Sequence, residues 1–176
     1  MANKQGAYIL LAIVLMLGVI GVVVYSNQPE QAVIEQERDV PQTQTVKLYY
    51  YNEPADRQLS ENGEPQCNED SVLPVTRVIT ASQNPIEDTI NLLISGEIFE
   101  SESNNGFSTE FPNPDFKLLK SELSNGILLL EFSTVPGFTS GGSCRVTLLA
   151  SQITKTAEQF SDVTEVRLLP EEIFQP

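Results

Sequence analysis

The 176-residue chain contains no histidine and no tryptophan, and only ten of its residues are basic. Without histidine, it lacks the commonest general base of enzymes and the commonest ligand of transition metals. The 24 acidic residues give it a formal net charge of −14. A surface of this charge repels the phosphates of nucleic acids and of anionic lipids, so neither is a predicted partner.

Cysteine is almost absent, and the two that occur, Cys67 and Cys144, are far apart. Neither has the close spacing of a zinc site, so no metal or other cofactor is predicted. Cytosolic cysteines stay free, whereas those of exported domains pair, and the amino-terminal segment described next favours export. We therefore predict a disulfide between Cys67 and Cys144. The alternative is two buried thiols that act as small apolar core residues.

The longest apolar run, residues 7–25, contains no charged side chain. A helix of this length nearly crosses a hydrocarbon core of about 30 Å, and Tyr8 and Tyr25 would lie at its two interfaces. Lys4 precedes the run and acidic residues follow it, which predicts a cytoplasmic stub at residues 1–6 and export of the rest. A cleaved signal peptide is the alternative, but the apolar core of such peptides is usually shorter.

The part of the chain after this run divides into two regions. Residues 26–45 are rich in Gln, Glu and Pro, with few apolar side chains, which predicts a flexible connector. Residues 46–176 alternate between strand-like and helix-like patterns and predict one extracytoplasmic domain. The organisation expected is therefore a membrane helix, a tether and a single folded domain.

Within the domain, the hydrophobic patterns predict five strands and two helices in the order β, β, α, β, β, α, β. The first helix, residues 84–96, opens with Asn84 as N-cap and Glu87 completing a capping box. The second, residues 143–160, has one apolar stripe. Pro74 predicts either that the second strand lies at a sheet edge or that it begins there. The strands are expected at residues 46–51, 72–79, 116–122, 127–132 and 163–169.

These elements predict an α+β fold, a small mixed β-sheet with two helices packed on one face, preceded by one transmembrane helix. This is the simplest way to bury one apolar stripe of each helix against one face of a sheet.

Three polar clusters have the composition of functional sites but lack the required spacing. Gly141–Ser143 precedes a helix and could bind an anion, but no P-loop lysine follows it. A cluster of glutamates could bind Ca²⁺, but it lacks the alternation of an EF-hand loop; its members are Glu97, Glu100, Glu102 and Glu110. Tyr49 and Tyr51 could form a binding face, although a half-buried sheet face also explains them. No catalytic residue is predicted, and the chain is not expected to be an enzyme.

Residues 73–169 resemble the GerMN domain, a family named from sporulation and spore germination proteins. The helix PIEDTINLLISGE (85–97) and the strand NGILLLEFS (125–133) match it. The family's terminal pattern, QI-x-x-T-x-x-QF-x-x-V-x-x-V, is present at Gln152, Ile153, Thr156, Gln159, Phe160, Val163 and Val166. These are core, cap and turn positions, so the resemblance implies a fold similar to the ring-building modules of envelope assemblies. It implies a bacterial, extracytoplasmic protein and assigns no catalytic residue.

Two functions from different classes fit these observations. The favoured one is a non-catalytic interaction or scaffolding domain, anchored in the cell membrane by its amino-terminal helix, that docks on an envelope protein. The alternative is a domain that binds a cell-wall or small-molecule ligand. A contiguous apolar surface patch would favour the first, and a closed pocket with convergent polar groups would favour the second.

Overall fold

The structure is a computed structural model that describes residues 41–111, 113–138 and 141–175. The predicted cytoplasmic stub (1–6), the predicted transmembrane helix (7–25) and most of the predicted connector (26–45) lie outside the described residues. Within the described ranges, every helix is too short or too polar to span a bilayer.

The described residues form an α+β domain, as predicted. In chain order its elements are β1 (Thr43–Asn52), α1 (Glu53–Leu59), β2 (Val72–Thr80), α2 (Pro85–Ile94), α3 (Glu100–Asn104), β3 (Phe107–Ser108), β4 (Leu118–Ser124), β5 (Ile127–Phe132), α4 (Ser143–Ala157) and β6 (Glu165–Leu169). Two 3₁₀ turns, Glu69–Ser71 and Glu171–Ile173, complete it. The five predicted strands and both predicted helices are present, whereas α1, α3 and β3 were not foreseen. Strand β1 begins at Thr43, inside the segment predicted as connector.

The strands form two three-stranded sheets, so the prediction of a single sheet was wrong. One sheet has the order β2-β1-β3 and the other has the order β4-β5-β6. On the side of β1 that pairs with β3, the rest of the strand edge is covered by α4 and by Gln159 just after it. The side-chain amide of Gln159 accepts from the Lys47 amide at 2.8 Å and donates to the Lys47 carbonyl at 2.7 Å, while the Thr156 hydroxyl accepts from the Tyr49 amide at 3.0 Å.

A single apolar core joins the two sheets and the two longer helices. Tyr50 of β1 and Phe132 of β5 are almost completely buried in it. The Phe116 ring lies 5.0 Å from the Phe132 ring and 4.7 Å from the Phe138 ring, measured between centroids. Because both sheets direct their apolar faces into one core, neither buries its apolar face without the other.

Strand β2 lies at the edge of its sheet, which is one of the two placements predicted from Pro74. The Ala81 amide donates to the Gln42 carbonyl at 2.7 Å, and this pair continues the β1–β2 register. In an antiparallel ladder only every second residue bonds its partner strand. The register therefore makes Ile79 a bonded residue and directs the backbone groups of Pro74 and Val78 away from β1. The missing N–H of proline leaves no gap in the ladder.

Helix α2 begins without the predicted capping box. The Asn84 carbonyl accepts from the Asp88 amide at 3.1 Å, but the Asn84 side chain makes no cap hydrogen bond. Instead, the Ser82 hydroxyl accepts from the Asn84 amide at 3.1 Å and donates to the Asp88 carboxylate. Asp88, rather than Glu87, therefore stabilises the turn that starts the helix.

The register of β2 gives a test with a matched control. We expect Ile79→Pro to lower the free energy of unfolding by about 1–3 kcal/mol more than Val78→Pro, because only the Ile79 amide is used in the ladder with β1. Chemical denaturation of the two variants and the parent chain measures this difference. Equal destabilisation by both prolines would contradict the assigned register.

Candidate functional site

Helix α1, which hydrophobic periodicity did not reveal, carries the most buried charge of the domain. The Asn52 side chain accepts from the Ala55 amide at 3.0 Å and so caps the helix, and Pro54 lies in its first turn. An N-cap residue followed by proline is a helix-start signal that the sequence does contain. The helix is one and a half to two turns long and directs Asp56 inward, beneath the loop that bears Cys67.

Asp56 is fully buried, with an exposed fraction of 0%. Its carboxylate accepts from the backbone amides of Gln66, Cys67 and Asn68 at 2.8–3.1 Å and from the Tyr51 hydroxyl at 2.9 Å. Burial alone would raise the pKa of Asp56, but these four hydrogen bonds, led by the Asn68 amide, hold the pKa below its ordinary value of 3.8. The ionised carboxylate therefore fixes the course of the loop.

This loop holds Cys67 in the left-handed region of backbone space, with φ of 59°. A residue other than glycine adopts such a φ at a cost of about 1–2 kcal/mol, which the hydrogen bonds to Asp56 offset. The conformation brings Cys67 to Cys144, in the first turn of α4, with 5.3 Å between their Cα atoms, and the two sulfurs form a disulfide. The side chain of Lys155 adds a second link from α4, donating to the Glu69 carbonyl at 2.6 Å.

A cavity of about 420 Å³ lies beside the disulfide. Helix α4 contributes Leu148, Leu149 and Gln152 to its wall, and β3 with the residues after it contributes another side. Tyr51 of β1 and both cysteines line it as well. Its volume is within the range of small-molecule sites in proteins, about 300–1,000 Å³.

An ion pair lines this cavity. Arg145 of α4 and Glu110 both line it and are paired through the guanidinium and the carboxylate. The Arg145 guanidinium also lies 5.3 Å from the centroid of the Phe138 ring. Because the two charges offset each other, the cavity wall carries no unbalanced charge from this pair.

A second ion pair, more deeply buried than the first, lies on the edge strand β2. Arg77 is 7% exposed, and its guanidinium bonds both carboxylate oxygens of Glu102 at 2.5 and 2.7 Å and the Glu97 carbonyl at 3.0 Å. The hydrogen bonds from Arg77 lower the pKa of Glu102. The guanidinium also lies 4.0 Å from the centroid of the Phe99 ring. The pair attaches the segment around α3 to β2, and its two charged groups are paired with each other.

The structure separates the acidic cluster considered for Ca²⁺. Glu102 pairs with Arg77 and Glu110 pairs with Arg145, and among the described residues no three acidic side chains converge on a possible metal position. At the start of α4, the Gly142 carbonyl accepts from the Val146 amide at 3.3 Å and φ of Gly142 is 96°, as in an entry turn. Of the two tyrosines considered as a binding face, Tyr49 and Tyr51, the second lines the cavity.

Comparison with known proteins gives one family. The family model described as "Germane: Sporulation and spore germination" matches residues 24–172. This match extends well before residue 73, where the resemblance noted from the sequence began. No curated protein matches the chain.

Two solved structures from Bacillus subtilis are similar to it. The tandem GerMN domains of the sporulation protein GerM share 25% identity, with a TM-score of 0.49 over 75% of this chain and 41% of that chain. The first GerMN domain of GerM shares 18% identity, with a TM-score of 0.47 over 71% of this chain and 80% of that chain. The chain thus spans less than half of the tandem-domain structure that it matches.

The depressed pKa of Asp56 predicts a specific loss of stability in acid. A carboxylate whose pKa is lower in the folded state stabilises the fold above its unfolded pKa, and this contribution is lost as the pH falls through the folded value. We expect Asp56→Asn to lower Tm at pH 7 and to flatten the fall of Tm below about pH 4. Thermal unfolding between about pH 3 and 7 measures it.

Asp70, an exposed carboxylate at the end of the same loop, provides the control for this experiment. Asp70→Asn should leave the pH profile of Tm close to that of the parent chain. A profile unchanged by Asp56→Asn would show that the Asp56 carboxylate does not hold the loop.

The disulfide predicts the thiol content of the native protein. The bond spans 77 residues, and the chain-entropy model gives a stabilisation of about 4–5 kcal/mol for such a loop. Protein purified and denatured without reductant should contain no reactive thiol, and Cys67→Ser should lower Tm by many degrees. Two thiols per chain before reduction would contradict the bond, and two after reduction are the positive control.

Proposed function

Because this chain belongs to the Germane family of sporulation and spore germination domains, we propose that it is a membrane-anchored, extracytoplasmic interaction domain of the bacterial envelope. The resemblance to GerMN domains that the sequence indicated is confirmed by this match. The domain acts by docking on another envelope protein and carries out no catalysis.

The proposed anchor is the uncharged run at residues 7–25, with its amino terminus in the cytoplasm. Lys4 before the run and the acidic residues after it support this orientation. The bond between Cys67 and Cys144 supports export independently, since disulfides persist in oxidising compartments outside the cytoplasm.

The observation that carries the docking function is the outer edge of β2. The order of the sheet leaves this edge without a described neighbouring strand. Near its start, proline at position 74 offers no N–H, and the Arg77 guanidinium donates to the Thr76 carbonyl at 3.1 Å. Beyond these two points, the backbone groups of Val78 and Thr80 point outward, and the Val78 side chain is 67% exposed. A strand of a partner could pair with this short stretch by main-chain hydrogen bonds.

The charge of the chain indicates which segment would pair there. With a net charge of −14, the chain attracts basic segments over a distance and repels acidic ones. The proposed occupant is an extended, basic segment of an envelope protein that adds one strand to β2.

The state of the buried ionisable groups supports a non-catalytic role. A general acid or base needs a titratable atom that can reach a substrate. The carboxylates of Asp56 and Glu102 accept hydrogen bonds from the fold that lower their pKa values, and the Arg77 guanidinium is held by Glu102. Their perturbed pKa values therefore arise from structural networks.

Site-specific photocrosslinking in living cells tests the docking edge. A photoreactive amino acid at Thr76, on the outer edge, should give a discrete crosslinked product with a partner. The same amino acid at Glu122 of β4 is the matched control and should give none. Adding Val78→Pro should abolish the product at unchanged protein level, because proline removes an outward N–H that β1 does not use.

Protease treatment of intact spheroplasts after crosslinking checks the orientation. The crosslinked product should be digested while a cytoplasmic marker survives. Crosslinking that persists in Val78→Pro would contradict strand pairing, and a protected product would contradict the proposed orientation.

A further inference from the structure

We propose that the cavity beside the disulfide is a binding site for a small uncharged molecule that carries an amide N–H next to an apolar group. The inference goes beyond the docking function and does not depend on it, because the cavity and the outer edge of β2 share no residue.

Gln152 carries the inference. It lines the cavity, is 2% exposed, and its Nε2 donates to the Leu148 carbonyl at 3.1 Å. Its Oε1 is buried and accepts no hydrogen bond from any described residue. Exchanging the two amide atoms would set the Gln152 oxygen against the Leu148 carbonyl oxygen, so hydrogen bonding fixes the assignment. A buried acceptor left unpaired costs about 1–3 kcal/mol, which a bound donor would recover.

The position of Gln152 on α4 explains why the protein itself does not satisfy it. Gln152 and Thr156 lie on α4 and Gln159 lies just after its end, and the three follow one another at helical spacing. At the open edge of β1, the Thr156 hydroxyl accepts from the Tyr49 amide and the Gln159 side chain accepts from the Lys47 amide. Further along β1, at Tyr51, that edge is already paired with β3, so no free backbone group of β1 remains for Gln152.

The wall of the cavity defines the class of ligand. The unpaired oxygen of Gln152 requires an N–H or O–H donor, and Leu148, Leu149 and the disulfide line the same cavity and offer apolar contact. Arg145 lies seven residues before Gln152, which places their Cα atoms about 10 Å apart along the helix. A ligand that reaches from Gln152 to the ion pair of Arg145 and Glu110 is therefore about as long as one N-acetylated sugar or a capped amino acid. Because the ion pair is balanced, an uncharged ligand is favoured over an ion.

An acetamido group meets these requirements, since its N–H would donate to Gln152 Oε1 and its methyl group would lie against the leucines. Both N-acetylated sugars and short uncharged peptides contain this chemistry. Titration of the ¹⁵N-labelled full-length chain with N-acetylglucosamine and, separately, with N-acetylalanine methylamide distinguishes the two sources. Glucose, which lacks the amide, is the control for the sugar.

We expect one of the amide probes to shift the side-chain amide resonance of Gln152 in a saturable manner, and glucose to leave it unchanged. Saturation by the sugar alone would assign a glycan source, and saturation by the capped alanine alone would assign a peptide source. If neither probe shifts this resonance, or if glucose shifts it equally, the proposal is wrong and water alone satisfies the oxygen.

Two variants separate binding from folding. Gln152→Met keeps the volume of the side chain but removes the acceptor, and should weaken binding at least about tenfold without lowering Tm. Gln159→Met, the same change at the β1 edge, should lower Tm and leave binding intact. Ser108→Trp, at an exposed lining residue, should block binding while the fold is retained. Unaltered affinity in both Gln152→Met and Ser108→Trp would overturn the site.

Discussion

The domain depends on the way in which helix α4 satisfies the open edge of β1. An unpaired strand edge in a folded domain must find partners for its backbone groups, in another strand, a side chain or water. Here the side chains of Thr156 and Gln159 take the place of a strand, and the Gln159 amide forms two hydrogen bonds with Lys47 as a paired residue would. This contact leaves only the end of that edge of β1 for the two-residue strand β3, and it fixes the helix that packs against the core shared by both sheets.

The same helix connects the core to the cysteine loop. Its amino-terminal turn holds Cys144, and Lys155, three turns later, bonds the carbonyl of Glu69 at the far end of the loop. The buried Asp56 carboxylate accepts hydrogen bonds from three backbone amides of the loop and from the Tyr51 hydroxyl of β1. The loop is thus attached to the domain by a covalent bond and by a buried charge, and the cavity exists because these attachments hold it at a fixed distance from α4.

The two edges of the first sheet are treated differently, and this difference underlies the proposed function. The edge of β1 is covered by the side chains of Thr156 and Gln159. The outer edge of β2 is protected only at Pro74, which has no N–H, and at the Thr76 carbonyl, which accepts from Arg77. Partial protection of this kind limits uncontrolled strand pairing and leaves a short stretch for a selected partner. In an acidic member of the Germane family, that stretch suits a basic segment better than a second copy of the same chain.

Local patterns in the sequence determined the fold class and the approximate bounds of the longer elements, and they limited Pro74 to a sheet edge or a strand start, because proline chemistry and the spacing of apolar residues act over a few neighbours. The sequence also proposed the pairing of Cys67 with Cys144. It did not reveal α1, whose start signal at Asn52 and Pro54 is not followed by an apolar stripe, nor the division into two sheets. Only the tertiary structure decided that Gln152, Thr156 and Gln159 have different roles. Spaced four and then three residues apart, they share one helical face in the sequence pattern, and what separates them is which backbone groups of β1 remain unpaired opposite each of them.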